Sequence, residues 1–173
     1  TRAGELIMAT LAPQERLQPA LLDRLTDDEP QNKQESREMR VITKTRLRRA
    51  VLRDLAWLFN ATAPVGIDWD GCPEAQHSIL NFGLPAFSGL TASTVDVLDL
   101  EDALRQAILD FEPRILPTTL HVEALLADNP LGTHNVISVR IQGELWAQPV
   151  PLEFLVQTDV DLETGEVSLR DFG

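Results

Sequence analysis

After Pro117 the hydrophobic period of this chain changes from three or four residues to two, and that switch limits the fold more than any other feature. Upstream, Leu47, Ala50, Val51, Leu55, Leu58 and Phe59 recur at helical spacing, as do Leu100, Ala103, Leu104, Ala107, Ile108 and Phe111. Downstream, Leu120, Val122 and Ala124 alternate with Thr119, His121 and Glu123. Ile137, Val139, Ile141 and Leu145 alternate with Ser138, Arg140, Gln142 and Glu144, and Val150, Leu152, Phe154 and Val156 alternate with Glu153 and Gln157. A short strand over 167–169 follows the turn Glu163-Thr164-Gly165-Glu166, while Asn129-Pro130-Leu131-Gly132 and Gln148-Pro149 mark the other connections. Alternating runs with short connections predict an antiparallel meander with one buried face. Two amphipathic helices packed on that face make the fold class α+β.

The helix ends can be read from their flanking residues. Thr43 or Thr45 can cap the first helix, and Asn60 before Ala61-Thr62-Ala63-Pro64 can close it, with Trp57 off its apolar stripe. Residues 64–75 read as a loop around Asp68-Trp69-Asp70-Gly71. Residues 78–85 read as a short extended piece closed by a turn, in which Gly83 permits a positive φ and Pro85 fixes the exit. The second helix is expected to begin near Asp99 as its cap and to stop at Glu112-Pro113-Arg114, because proline lacks an N–H and restricts the residue before it. That tripeptide sets a Glu and an Arg two residues apart beside Phe111, where they can aim at each other or at a partner's backbone. Residues 1–18 read as a flexible arm, residues 19–173 as a single domain, and no repeat is present.

Charge and composition exclude several classes of function. The net charge of −12 is uneven: residues 1–62 hold eleven basic residues against nine acids, whereas residues 63–173 hold four against eighteen. Arg40, Lys44, Arg46, Arg48, Arg49 and Arg53 crowd one stretch, which reads as a solvated helix face or a protein-docking face. No aromatic platform interleaves with it and the acidic remainder repels phosphates, so nucleic acid is not the expected partner. No window approaches the apolar run of ~20 residues that a membrane span needs. Glu5 and Glu15 interrupt any secretory-type leader, and the single Cys72 fits a reducing compartment, so the expected address is the cytoplasm.

Tests for chemistry fail in turn. His77, His121 and His134 lack zinc-type spacing, and Cys72 with His77 cannot complete a site, so no metal or cofactor is expected. Asp159-Val160-Asp161-Leu162-Glu163-Thr164-Gly165 resembles a calcium loop, but its glycine falls one position late and no bidentate Glu follows in place; the hairpin reading wins. No nucleophile elbow and no glycine-rich phosphate cradle is present. Glu112 is a poor general acid because Arg114 favours its ionised form.

Four segments in order carry a resemblance: residues 19–30 (Pro-Ala-Leu-Leu-Asp-Arg-Leu-Thr-Asp-Asp-Glu-Pro), residues 47–60 (Leu-Arg-Arg-Ala-Val-Leu-Arg-Asp-Leu-Ala-Trp-Leu-Phe-Asn), residues 78–85 (Ser-Ile-Leu-Asn-Phe-Gly-Leu-Pro) and residues 111–114 (Phe-Glu-Pro-Arg). Together they resemble the TssE family of type VI secretion baseplate subunits, related to the small wedge protein of contractile phage tails. Phe59 and Phe82 stand where many relatives are expected to carry Leu and Tyr. The resemblance covers about residues 19–170. It implies a non-enzymatic role beside TssF, TssG and TssK in a cytoplasmic baseplate docked at the inner membrane complex, without membrane insertion, and a sheet that templates the first ring of sheath subunits. It also implies that Glu112, Pro113 and Arg114 are the family's E-P-R motif; our hypothesis is that Arg114 and Glu112 hold the sheet edge or a neighbouring wedge subunit in register, and a purely intramolecular lock between helix and sheet is the other reading. If the motif is exposed in the free subunit, substitution spares folding and loses assembly. Arg48, Arg49 and Arg53 are the further candidate protein-binding residues. A phage-tail wedge protein is the alternative, and a muramidase-like hydrolase, after a label carried by phage relatives, is the third reading.

Overall fold

A computed structural model describes residues 20–26, 31, 43–87, 96–125, 135–147 and 150–172. The expected arm over 1–18, His134 and the turns at 129–132 and 148–149 lie outside the described residues.

The helices come first in the chain. A short α1 (Leu21–Leu25) precedes α2 (Lys44–Phe59), whose N-terminus is capped by the Thr43 hydroxyl accepting from the Arg46 N–H at 3.2 Å. The apolar stripe read in the sequence is the buried face of α2: Leu47, Ala50, Val51, Leu55, Leu58 and Phe59. One turn of helix, α3 (Pro73–Gln76), interrupts the expected loop. Then comes α4 (Val97–Phe111), which buries Leu100, Leu104, Ala107 and Ile108. It starts before Asp99: Asp96 is the cap, accepting from the Leu98 N–H at 2.9 Å, and Asp99 sits in the first turn, where a carboxylate favours the positive end of the helix dipole. The apolar pattern missed that turn because Leu98 points to solvent and the buried stripe begins only at Leu100.

The sheet follows as a meander of β1 (His121–Leu125), β2 (Val136–Leu145), β3 (Leu152–Asp161) and β4 (Val167–Asp171), in spatial order β1-β2-β3-β4 with every pair antiparallel. The two long central strands pair over their full length, from Val136 opposite Asp161 to Leu145 opposite Leu152. One face carries Ile137, Val139, Ile141, Leu145, Phe154, Val156 and Val160 and is buried under α2 and α4. Among the described residues no α-helix packs on the opposite face, which the 3₁₀ turn Pro117–Thr119 borders. The sequence 159–165 is the β3–β4 hairpin: the Asp161 carboxylate accepts from the Glu163 and Thr164 N–H groups at 2.8 and 3.1 Å and closes the turn.

Residues 78–85 are extended only in part: Ser78 caps a 3₁₀ turn over Ile79–Asn81, and the chain becomes extended again at Phe82. Only Leu84 is bridged: its N–H donates to the Ala61 carbonyl at 2.9 Å and its carbonyl accepts from the Ala63 N–H at 2.8 Å. Gly83, at φ +125°, makes that approach, since a Cβ there would lie 2.5 Å from the Ala61 oxygen.

Both sheet edges are partly sealed by helix side chains. Glu101 of α4 accepts from the Ala124 N–H of β1 at 2.7 Å. Asn60, which ends α2, donates to the Val167 carbonyl at 2.8 Å and accepts from the Val167 N–H at 3.0 Å, so its amide imitates one residue of an added strand on β4. Among the described residues no side chain repeats this at Leu169, whose backbone faces outward by the same alternation.

Candidate functional site

Pro113 dictates the local geometry of the motif. It forces Glu112 out of helical dihedrals (φ −120°, ψ 76°), so Glu112 spends its N–H on the Ile108 carbonyl at 2.8 Å and ends α4. The Ile115 N–H then returns to the Glu112 carbonyl at 3.2 Å, which makes residues 112–115 a β-turn with proline at its favoured second position. The chain leaves this turn by joining the end of β2: the Trp146 N–H donates to the Arg114 carbonyl at 2.7 Å and the Leu116 N–H to the Glu144 carbonyl at 2.8 Å. The motif is therefore the joint between α4 and the sheet.

Within that turn the two charges face each other. Glu112 Oε1 accepts from the Arg114 N–H at 3.1 Å and from Arg114 Nε at 2.6 Å, while Glu112 Oε2 pairs with Arg114 Nη2. Arg114 Nη2 also reaches Asp54 Oδ2 of α2 at 2.6 Å. Asp54 Oδ1 accepts from Arg53 Nε at 2.9 Å, and Arg53 Nη1 donates to Asp23 Oδ1 of α1 at 2.7 Å. Glu112, Arg114, Asp54, Arg53 and Asp23 thus alternate in sign from the end of α4 across α2 to α1. Burial works against the Arg114 charge, but the hydrogen bonds and charges of Glu112 and then Asp54 outweigh it, and its pKa is raised. Arg53 is raised in the same way, burial opposing and Asp23 and Asp54 prevailing.

Glu112 is only 3% exposed, whereas Arg114 is half-buried and Pro113 exposed. The condition attached to the motif in the sequence, exposure of its charges in the free subunit, is not met at Glu112. In the free chain the two charges of the motif are paired with each other, and Arg114 also with Asp54 of α2. Beside the motif opens a groove of about 420 Å³ whose lining includes Ala20, Trp57, Phe82, Phe111 and Pro113. Phe82 meets Phe111 edge-on at 5.2 Å, and the Arg53 guanidinium lies over Trp57 at 5.2 Å, leaving that indole 54% exposed.

The basic stretch divides. Arg53 joins the motif through Asp54, but Arg48 does not: its guanidinium pairs with Asp171 of β4, donates to the Glu153 carbonyl at 3.0 Å and lies over Phe154. The Asp171 hydrogen bond is the main reason its pKa is raised. Arg49 is exposed and takes part in no hydrogen bond or ion pair among the described residues. Sequence reasoning missed Asp54 and Asp23 as members of the arrangement, and read Asn60 only as the end of the first long helix and not as a partner of Val167. Asp54 offered one signal, as the only acid in a run of basic residues; Asp23 and Asn60 act across contacts that adjacency does not reveal.

A family model described as baseplate wedge protein gp25 matches residues 45–150, from the start of α2 to the end of the β2–β3 connection, with the motif inside. No curated protein and no solved structure matches the chain.

Proposed function

This chain belongs to the baseplate wedge protein gp25 family, a family of structural components of contractile-tail baseplates, and from that premise we propose that it serves the baseplate of a type VI secretion system without enzymatic activity. In this reading it joins the wedge subunits TssF and TssG beside TssK, and its sheet gives the first sheath ring a strand edge to build on. The observation that carries the reading is the joint at Glu112-Pro113-Arg114: a charge lattice fixes α1, α2, α4 and the end of β2 around an exposed aromatic groove. Both Glu112 oxygens are occupied by Arg114, which leaves no free carboxyl there for a hydrolase's acid. On β4, Asn60 blocks strand pairing at Val167, so an incoming sheath strand would pair from Leu169 onward. No helix among the described residues is long and apolar enough to cross a membrane, which suits a place in the baseplate at the cytoplasmic side of the inner membrane complex.

The test is co-expression with TssF and TssG, followed by copurification of wild type and Trp57→Ala. Trp57 is exposed, so its loss leaves the core intact. A wild-type complex that a folded Trp57→Ala chain fails to form supports docking at the groove. A complex that survives keeps the assembly role and moves the contact elsewhere. No complex with the wild type refutes the partner assignment.

A further inference from the structure

We propose that the uncovered face of the sheet is a second docking surface, which receives an arginine-bearing basic segment of a neighbouring protein subunit. This face lies apart from the motif groove and from the outer edge of β4. A concavity of about 690 Å³ crosses it, bounded by Thr118 and Thr119 before β1 on one side and by Phe172 after β4 on the other. Between them lie Arg140, Gln142 and Glu144 of β2 and Glu153, Leu155 and Gln157 of β3.

Glu144 and Glu153 are direct partners in the β2–β3 register. Side chains opposite each other on antiparallel strands stand about 5 Å apart at Cβ, and like charges in that position oppose pairing. No cationic side chain among the described residues forms an ion pair with either carboxylate. Arg48 reaches Glu153 only at its backbone carbonyl and spends its charge on Asp171. His121, at the rim, turns Nδ1 to the Thr119 carbonyl at 2.8 Å. Elsewhere on the same face Asp159 pairs with Arg170 at 3.0 Å and accepts from Ser138 at 2.6 Å, and Arg140, which also lines the concavity four residues along β2 from Glu144, stands opposite Glu123 in register. Two carboxylates without an ion pair among the described residues therefore stand side by side at the Glu144–Glu153 end of the concavity.

The chemistry of that end selects the occupant. Two carboxylates side by side suit the planar fork of a guanidinium better than a single ammonium. Leu155 and Phe172, the latter 59% exposed, offer apolar surface for the aliphatic stem. Nucleic acid and anionic lipid are repelled by the same carboxylates.

The test needs only the isolated chain, so it succeeds or fails independently of the baseplate partners. The ¹⁵N-labelled chain is titrated with a tetra-arginine peptide amide. Amide shifts are expected to concentrate at 142–145 and 152–155. The double variant Glu144→Gln/Glu153→Gln should weaken binding about tenfold, as loss of one charge-assisted contact implies. Glu163→Gln/Glu166→Gln, which removes two acids from the β3–β4 turn, should change it little. Shifts spread evenly over the acidic surface, or equal weakening by both doubles, would overturn the proposal. Glu144→Gln alone should also raise the Tm by relieving the facing charges, and a fall in Tm would overturn the premise that they repel.

Discussion

The contact most exposed to a decisive test is the clamp at Gly83. Among the described residues, the segment that carries Phe82 to the motif groove is tied to the chain just after α2 by two backbone hydrogen bonds, Leu84 to Ala61 at 2.9 Å and Ala63 to Leu84 at 2.8 Å. A Cβ on Gly83 would meet three backbone atoms, Ala61 O at 2.5 Å, Ala61 C at 2.7 Å and Ala63 N at 2.9 Å, and none of them can swing aside as a side chain would. Gly83→Ala therefore incurs two costs. Holding alanine at φ +125° is worth about 1–3 kcal/mol of strain. Relieving the overlap separates the strands of the clamp and loses two hydrogen bonds, each about 1 kcal/mol net. The sum, about 3–5 kcal/mol, is a large share of a stability of order 5–15 kcal/mol. For a chain of this size it lowers Tm by about 6–20 °C.

Two other glycines separate the causes. Gly66, at φ +78°, has open space where its Cβ would go, so Gly66→Ala should show strain alone, about 1–2 kcal/mol. Gly71 has neither a positive φ nor a neighbour, so Gly71→Ala should stay within about 0.5 kcal/mol of wild type. Urea unfolding followed by tryptophan fluorescence ranks the three variants at constant m-value. If Gly83→Ala unfolds no more easily than Gly66→Ala, the close approach to Ala61 is not a constraint and the reasoning fails.

Three further substitutions probe the rest of the frame. Thr158 is fully buried in β3 and its hydroxyl has no partner among the described residues, so Thr158→Val should stabilise by about 1 kcal/mol in the same urea assay. Asn60→Ala removes the amide that bonds both backbone groups of Val167; we expect a loss of about 1–2 kcal/mol and faster hydrogen exchange at the Val167 amide. Arg114→Ala leaves the Glu112 carboxylate buried without its cation, so it should cost about 3–5 kcal/mol by calorimetry, and an unchanged Tm would show that the lattice is not structural.

The sheet was legible because its signal is local: alternation along β2 and β3 names the inward residues without knowledge of their neighbours, except that Val150, read into the same run, is exposed and lies ahead of β3. The same holds for α2, whose cap at Thr43 and end at Asn60 lie where the sequence put them. The start of α4 was hidden because its first turn carries an outward Leu98, so helix and apolar stripe do not begin together. At the motif, the Glu112–Arg114 pair was readable across two residues, but Asp54 and Asp23 were not, since they meet it only when α1 and α2 are laid beside the end of α4. The basic stretch misled in a similar way. Arg48 and Arg53 are five residues apart, about 140° around a helix, so a run that looks like one face points in two directions. Their carboxylates lie on different elements, Asp171 on β4 and Asp23 on α1.

This division of charge bears on how the chain would recognise a neighbour. Every charge of the lattice has an internal partner, so a subunit that took Arg114 or Arg53 for itself would have to break a pair that is partly desolvated. What the groove offers without such a cost is its apolar rim, with Trp57 more than half exposed and Pro113 beside it. Aromatic anchors on a rigid base are the groups that dominate binding energy at protein interfaces. The lattice supplies the rigidity: it fixes the groove before a partner arrives and so reduces the ordering cost of association. The motif's charges then act through shape and its rim through contact. Loss of assembly in a charge variant should accordingly track loss of stability, while loss of assembly in a rim variant should not.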